Sequence, residues 1–294
     1  YADIQNILKI DLSNNEDLTI LEDREPKILS FYAEKGGVGK STLCITLAYT
    51  LADMGKRVLI YDCDVQRSLT AWIFGNNFES ENVDRFDNLY QRIGEYNKNN
   101  LPFSLYDQVQ DDGDLNPAYA TYVRNNLYVV CGNNRMPELD ERISNVEALT
   151  GNMGSIFGNI PNTKSARPYH AIMKTAKYYK IDYVLLDMNP YPGVLNRCLI
   201  MASHFVIIPA CPDFYCQEMM HSFIGKMLTW KIKIEEIKDS TIRPGSNYPW
   251  PDHTPKFLGY ILNMFMTNNK RHISDIRMND SNWPNTNIGN RFFF

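Results

Sequence analysis

A run of eight residues, KGGVGKST from Lys35 to Thr42, limits what this chain can fold into more than any other feature of the sequence. It follows an apolar stretch, Ile28 to Ala33, and it opens a helical pattern that starts at Lys40. The glycines let the backbone curl so that successive N–H groups point at one anion, and the helix start adds the positive end of its dipole. The run therefore predicts a phosphate-binding loop at a strand-to-helix junction.

The loop predicts a nucleoside triphosphate with Mg²⁺ as its ligand. Lys40 is expected to neutralise the β- and γ-phosphates, and the Ser41 hydroxyl is expected to bind Mg²⁺. The motif departs from G-x-x-x-x-G-K-[ST] at its first position, where Glu34 stands in place of glycine, and it fits K-G-G-x-G-K-[ST] better. The residues expected to contact the nucleotide here are Gly36, Gly37, Val38, Gly39, Lys40, Ser41 and Thr42.

Short apolar runs alternate with longer amphipathic stretches along the chain. Continuous apolar runs predict buried strands at 28–33, 58–61, 127–131, 183–186, 205–209 and 257–262. Helical patterns fall at 40–54, 138–149, 168–179, 194–202 and 215–231. Strands joined through helices form right-handed βαβ units, so we expect an α/β fold, a three-layer sandwich with a mostly parallel central sheet.

The expected organisation is an acidic N-terminal segment, residues 1–27, followed by a single domain, residues 28–294. The segment holds seven acids and three bases and so accounts for the whole net charge of −4. Within the domain, residues 76–126 are polar and predict surface loops with one or two helices. Residues 239–255 contain four prolines and predict a loop over the sheet edge.

Composition excludes several classes of protein. The chain has 294 residues, of which 44% are hydrophobic and 22% charged, which is not the composition of collagen-like or low-complexity proteins. The six cysteines have no CxxC spacing and predict free thiols in a reducing compartment, and the spacing of Cys211 and Cys216 does not favour a metal site. No apolar run has the length of a membrane span and no signal-peptide pattern is present, so we expect a cytoplasmic protein.

Carboxylates stand at the ends of two other predicted strands. Asp62 and Asp64 follow the second strand, and Asp187 ends the apolar run YVLL. Open α/β sheets bind ligands at the carboxyl ends of their strands, so these residues are expected beside the phosphate loop. Asp187 could bind Mg²⁺ through water, whereas Asp62 alone could equally be a helix cap.

Taken together, these motifs resemble the deviant Walker A ATPases, the ParA and MinD branch of the P-loop proteins. The segment DCDVQ resembles the family's D-x-D-P-Q with Val65 in place of proline, and DMNP resembles D-x-P-P with Asn189 in place of the first proline. The strand FLGYILN resembles the family's G-x-x-x-N strand and ends in Asn263.

The resemblance implies a role for each of these residues. Lys35 would be the signature lysine that crosses the interface of a nucleotide-sandwich homodimer formed on ATP binding. Asp64 would position the attacking water, and Asn263 would read the adenine edge. The residues implied for catalysis are Lys35, Lys40 and Asp64, and those implied for the Mg²⁺ shell are Ser41, Asp62 and Asp187.

For function, the resemblance implies a slowly hydrolysing, ATP-dependent dimerising switch that drives plasmid or chromosome DNA partition. Its partners would be a ParB-like centromere-binding protein and non-specific DNA, and its location would be the cytoplasm, in association with the nucleoid. The C-terminal third holds ten bases and six acids from Lys226 onward. The bases considered as DNA contacts, against the alternative of solvated helix faces, are Lys226, Lys231, Lys233, Lys270, Arg271 and Arg277.

Two other classes of protein remain as alternatives. A MinD-like or cargo-positioning scaffold would act on a protein or a membrane, but the last ten residues, NTNIGNRFFF, carry a single base, which does not favour membrane binding. A metabolic enzyme of the same fold is the other alternative. Lys35 and the D-x-D-x-Q segment favour the switch over a synthetase, and the missing CxxC disfavours an iron-sulfur carrier.

Overall fold

The computed structural model describes residues 25–74, 91, 94, 97–111, 113–153, 160–241 and 248–263. The acidic N-terminal segment lies outside these residues except for positions 25–27. Lys270, Arg271 and Arg277, three of the predicted DNA contacts, also lie outside them.

Among the described residues, seven strands form one sheet. They are β1 (Lys27–Phe31), β2 (Val58–Cys63), β3 (Thr121–Arg124), β4 (Leu127–Val130), β5 (Tyr183–Met188), β6 (Phe205–Ala210) and β7 (Lys256–Leu262). Their order is β3-β4-β2-β5-β1-β6-β7, and the neighbouring strands are parallel except for β3 and β4. The sequence order of the parallel strands requires crossover connections, which the helices between them supply.

In the described part of the chain, seven helices flank the sheet. They are α1 (Lys40–Asp53), α2 (Ser68–Phe74), α3 (Leu105–Val109), α4 (Met136–Met153), α5 (Ile160–Tyr178), α6 (Val194–Ala202) and α7 (Phe214–Thr241). None of the helices in the described part of the chain combines the length and apolar character needed to cross a bilayer.

The core has two halves, one on each face of the sheet. Alternate strand residues point to opposite faces, so Leu29 and Phe31 pack with Cys44 and Leu51 of α1. On the other face, the intervening residues, such as Ile28, pack against α4 to α7. The predicted α/β three-layer fold is confirmed, and both halves are needed to bury the central strands completely.

The polar region 76–126 differs from its prediction as surface loops. Its described part contains a short helix, α3, as expected, but also the strand β3, which pairs antiparallel with β4. The Tyr106 ring is completely buried, and its hydroxyl donates to the Glu138 carboxylate over 2.9 Å. The described part of this region therefore contributes to the core and extends one sheet edge.

The described residues of the proline-rich region 239–255 lie partly in regular structure. Helix α7 extends to Thr241, and the strand β7 begins directly after Pro255. Between them, Trp250 is 5% exposed and its indole N–H donates to the Ser165 hydroxyl over 3.3 Å. The loop is thus anchored to α5 by one buried aromatic side chain.

Candidate nucleotide site

The loop between β1 and α1 has the backbone shape of an anion cradle. Gly37 and Gly39 have positive φ angles of 72° and 89°, which L-residues with a side chain rarely adopt. Gly39 is the N-cap residue of α1 and carries no side chain that could accept a hydrogen bond from the first helical turn. The N–H groups of that turn are therefore available to an anionic ligand.

The end of β7 closes tightly over this loop. The Asn263 side-chain amide donates to the Val38 carbonyl over 3.2 Å, and the Asn263 backbone N–H donates to the Ala210 carbonyl over 2.8 Å. A Cβ atom added to Gly39 would lie 2.0 Å from Nδ2 of Asn263. The structure therefore places Asn263 against the phosphate loop, and its contact with an adenine stays a prediction.

The contact between Gly39 and Asn263 leads to a prediction for stability. We expect Gly39→Ala to lower the free energy of unfolding by about 1–3 kcal/mol, because the new methyl group strains the left-handed backbone and meets the asparagine amide. Gly36→Ala is the matched control, since Gly36 has nothing within 4 Å of an added Cβ and no positive φ angle. Urea unfolding of both variants without nucleotide measures the difference, and equal stabilities would contradict the expectation.

The Lys40 side chain lies inside the site. The residue is 7% exposed, and its ammonium donates to the Lys35 carbonyl over 3.3 Å. Burial lowers the pKa of Lys40, and the negative charges of Asp187 and Asp64 partly oppose that change. The Lys40 ammonium is largely shielded from solvent beside the loop, and this shielding strengthens its attraction for a phosphate.

Asp187 is the most deeply buried carboxylate of the site. It aligns with Asp62 of β2 and with Phe31 of β1, directly before the loop. It is 0% exposed, and neither of its carboxylate oxygens has a hydrogen-bond partner among the residues that the structure describes. Burial first, and then the negative charge of Asp62, raise the pKa of Asp187 to about 8, against the opposing effects of Ser41 and Lys40.

These properties fit a divalent cation. A buried carboxylate is costly for the free protein to ionise, because it lacks solvation, and the Ser41 hydroxyl and the Lys40 charge offset that cost only in part. Mg²⁺ prefers oxygen ligands and keeps several waters, so Asp187 and the Ser41 hydroxyl are suitable groups to hold it. The chain therefore has a suitable set of donors next to its phosphate loop.

Asp62 has a structural use in addition to its predicted one. Its Oδ2 accepts from both the N–H and the hydroxyl of Thr70, over 2.9 and 2.6 Å, and its Oδ1 accepts from the Asp64 N–H over 3.2 Å. Burial raises its pKa to about 6, against these hydrogen bonds. Asp62 thus fixes the first turn of α2, as its alternative reading as a cap predicted, and its place in the Mg²⁺ shell stays a prediction.

Asp64 begins the turn between β2 and α2. It is 8% exposed, and its Oδ1 accepts from the Gln66 N–H over 2.9 Å, which closes an Asx-type turn. The Arg67 N–H donates to the Asp64 carbonyl over 2.9 Å. The carboxylate is thereby held at the same sheet edge as Asp187 and Lys40.

Lys35 points away from the phosphate loop that carries it. Its ammonium forms an ion pair with Asp213, and it lies 5.8 Å from the centre of the Tyr215 ring. The side chain is 34% exposed, so this cation remains within reach of a second molecule. Asp213 was missed in the sequence, although an acid just beyond a strand end is the same signal that indicated Asp62 and Asp187.

The predicted DNA contacts that can be located are engaged within the chain. Lys226 forms an ion pair with Glu34, directly before the phosphate loop, and Lys233 pairs with Glu147 over 3.1 Å. Lys231 lies beside Met201, Met227 and Pro255 in a small apolar cleft. These lysines do not form a free basic surface, and their role in DNA binding stays a prediction.

Comparisons with known proteins identify the family of this chain. The AAA_31 family, described as an AAA domain, matches residues 26–238. The sporulation initiation inhibitor protein Soj of Bacillus subtilis is 26% identical over 200 residues, which cover 68% of this chain and 64% of Soj. The match therefore spans less than two thirds of that relative.

Two solved structures share the fold. A plasmid partition protein of Borrelia burgdorferi B31 bound to AMPPNP has a TM-score of 0.51 and 23% identity, covering 81% of this chain and 85% of that one. Cobyrinic acid a,c-diamide synthase of Mycobacterium smegmatis, with bound ADP and magnesium, has a TM-score of 0.51 and 19% identity, covering 81% and 74%. With its phosphate loop, its second lysine and its family match, the chain belongs to the AAA_31 family and is a ParA/Soj-like ATPase of the deviant Walker A type.

Proposed function

We propose that this protein is an ATP-dependent dimerising switch that hydrolyses ATP slowly. The observation that carries the proposal is the different placement of its two loop lysines. Lys40 is buried within the site, whereas the Lys35 ammonium is partly exposed and points towards the start of α7. A cation in that position is suited to a phosphate held by a second subunit.

MgATP, when bound, supplies the phosphoryl group and the divalent charge. In this proposal the first-turn N–H groups of α1 hold phosphate oxygens and Lys40 balances their charge. Asp187 and Ser41 hold the Mg²⁺ shell. Asp64 orients a water molecule, and Lys35 of the other subunit excludes bulk water and adds a positive charge.

A surface suited to a second copy surrounds this site. Phe214 is 75% exposed, Tyr191 65% and Trp72 63%. Each follows the carboxyl end of a strand, so all three lie at the sheet edge that carries the phosphate loop. Large exposed aromatic side chains at one edge support a protein contact there.

Lys35→Ala tests the dimer directly. We expect the variant to bind ATP as a monomer with little change in affinity, because the Lys35 ammonium is directed at Asp213 and not into its own loop. The ATP-dependent dimer should disappear, which light scattering after size exclusion measures. Lys40→Ala is the control that should lose ATP binding itself, and an unchanged dimer in Lys35→Ala would contradict the proposal.

For the output of the switch, we propose DNA partition with a centromere-binding partner. The similarity to Soj and to a plasmid partition protein supports this choice. DNA retention should require ATP, should fall steeply with salt, and should be absent in Lys35→Ala. If ATP at low salt gives a dimer but no DNA retention, the partition role is wrong while the switch stands.

A cargo-positioning scaffold is the second candidate, and one observation favours it. Lys226 and Lys233 are paired with carboxylates of their own chain, which leaves fewer cations for DNA among the described residues. Such a scaffold would form the ATP-dependent dimer and bind a protein partner without DNA. Flotation with liposomes in the presence of ATP distinguishes a membrane-bound scaffold from the DNA-partition switch and from a scaffold that binds a protein partner.

A further inference from the structure

Two cysteines and one aspartate meet where β6 ends and α7 begins. Cys211, Asp213 and Cys216 each offer one ligand atom, and the three atoms lie within 4.8 Å of one another. The sequence does not favour a metal site here, because four residues separate the cysteines and no histidine is near them. The fold adds the third donor, since the turn between the cysteines folds Asp213 back towards both sulfur atoms.

The local hydrogen bonds hold this cluster together. The Cys216 N–H donates to Oδ1 of Asp213 over 2.9 Å, and the Cys211 N–H donates to Sγ of Cys216 over 3.3 Å. Cys216 lies in the first turn of a 28-residue helix. Burial raises the pKa of its thiol, so a cation that binds there must displace the thiol proton. Cys216 is buried and Cys211 is partly exposed, so one side of the cluster is open to solvent.

The donor set selects for a particular class of cation. Two thiolates and one carboxylate suit Zn²⁺ and similar thiophilic ions, whereas Mg²⁺ and Ca²⁺ prefer oxygen alone. Zn–S bonds of about 2.3 Å in a tetrahedron place the ligand atoms about 3.8 Å apart. The three ligand atoms lie within 4.8 Å of one another, so they exceed this spacing by at most about 1 Å. The open side leaves the fourth position to water.

We propose that Cys211, Asp213 and Cys216 bind a thiophilic divalent cation, with Zn²⁺ as the best fit. Binding releases the two thiol protons to solvent and leaves a site of two thiolates, one carboxylate and water. The Asp213 carboxylate also holds Lys35, so the cation and the Lys35 ammonium compete for the same group. By linkage, a bound cation weakens the Lys35–Asp213 ion pair by the same factor by which that ion pair weakens cation binding.

Co²⁺ and Zn²⁺ titrations of the reduced, nucleotide-free 294-residue chain test the site. Co²⁺ should give one equivalent of thiolate-to-cobalt charge-transfer absorption, and Zn²⁺ should remove it. Cys211→Ser and Cys216→Ser should each lower the Zn²⁺ affinity by more than about 100-fold, since a lost ligand costs more than a lost supporting residue. Cys198→Ala, which alters a buried thiol in α6, is the control and should keep the affinity.

The Lys35→Gln variant tests the competition. It removes a positive charge and frees Asp213, so we expect Zn²⁺ to bind about 5-fold more tightly or more. Asp213→Asn should lower the affinity, and a circular-dichroism spectrum equal to that of the unaltered protein shows that this variant is folded.

Three outcomes would overturn the proposal. They are absence of the charge-transfer band, a band that survives in both serine variants, and loss of the two thiols to a Cys211–Cys216 disulfide under conditions in which no cation binds. None of these measurements uses ATP, so a failed metal site and a failed ATP switch are told apart.

Discussion

Asp64→Ala should slow ATP hydrolysis by at least about 100-fold and leave an ATP-bound dimer that persists. Asp64 lies at the same edge as Lys40 and Asp187, on a turn that fixes its carboxylate, and no other role in nucleotide binding is proposed for it. Removing the group that orients water therefore blocks the chemical step but not the binding that precedes it. Phosphate release and light scattering with MgATP measure the two effects separately.

Asp64→Asn is the matched control for folding. The asparagine oxygen can still accept from the Gln66 N–H, so the turn after β2 is retained while the charge is lost. We expect this variant to be as stable as the unaltered protein and as slow as Asp64→Ala. Hydrolysis at the unaltered rate in either variant would show that Asp64 does not carry the water-orienting role.

Asp187→Asn should make the nucleotide-free protein more stable at about pH 8 and should abolish Mg²⁺-dependent ATP binding. The folded protein raises the pKa of Asp187 from 3.8 to about 8, so between these values the folded state holds a proton that the unfolded state has lost. Stability must therefore fall as the pH rises through this window and level off above it. An amide cannot ionise, and it removes this penalty.

Thermal unfolding across the window measures the effect. The difference in Tm between Asp187→Asn and the unaltered protein should be near zero at about pH 4 and reach several degrees at about pH 8. About 1 kcal/mol shifts Tm by roughly 2–4 °C in a domain of this size. Asp53→Asn, which alters an exposed carboxylate paired with Arg124, should show little pH-dependent difference. An advantage for Asp187→Asn that does not grow with pH would contradict the buried-charge explanation.

The parts of the site that the sequence predicted are the parts built locally. A phosphate loop consists of consecutive residues, so KGGVGKST specified its backbone shape without reference to the rest of the chain. The carboxylates of Asp62 and Asp187 could be placed side by side because parallel strands end at one edge, and the register of β2 and β5 pairs these two residues. The strand β3 could also have been found, since Asn125 and Asn126 separate two apolar runs and Asn126 has the positive φ angle of a tight hairpin.

The missed features depend on side-chain contacts that the sequence pattern does not show. Lys35 and Asp213 are 178 positions apart, and Lys226 and Glu34 are 192 apart. No residue near Lys226 in the sequence indicates its ion pair with Glu34, so the sequence predicts it only as a candidate for DNA contact. The Cys211, Asp213 and Cys216 cluster likewise forms only when the turn after β6 is folded.

Helix α7 connects these observations mechanically. Its 28 residues span about 42 Å. Three ion pairs connect the helix and the residue before it to the rest of the domain: Asp213 with Lys35, Lys226 with Glu34, and Lys233 with Glu147. Two of these ion pairs involve Glu34 and Lys35, which lie at the start of the phosphate loop. A displacement of that loop must therefore break these two ion pairs or move the start of the helix with it. The beginning of helix α7 is therefore coupled to the phosphate loop through Glu34 and Lys35, whereas its later turns are held to α4 through Glu147.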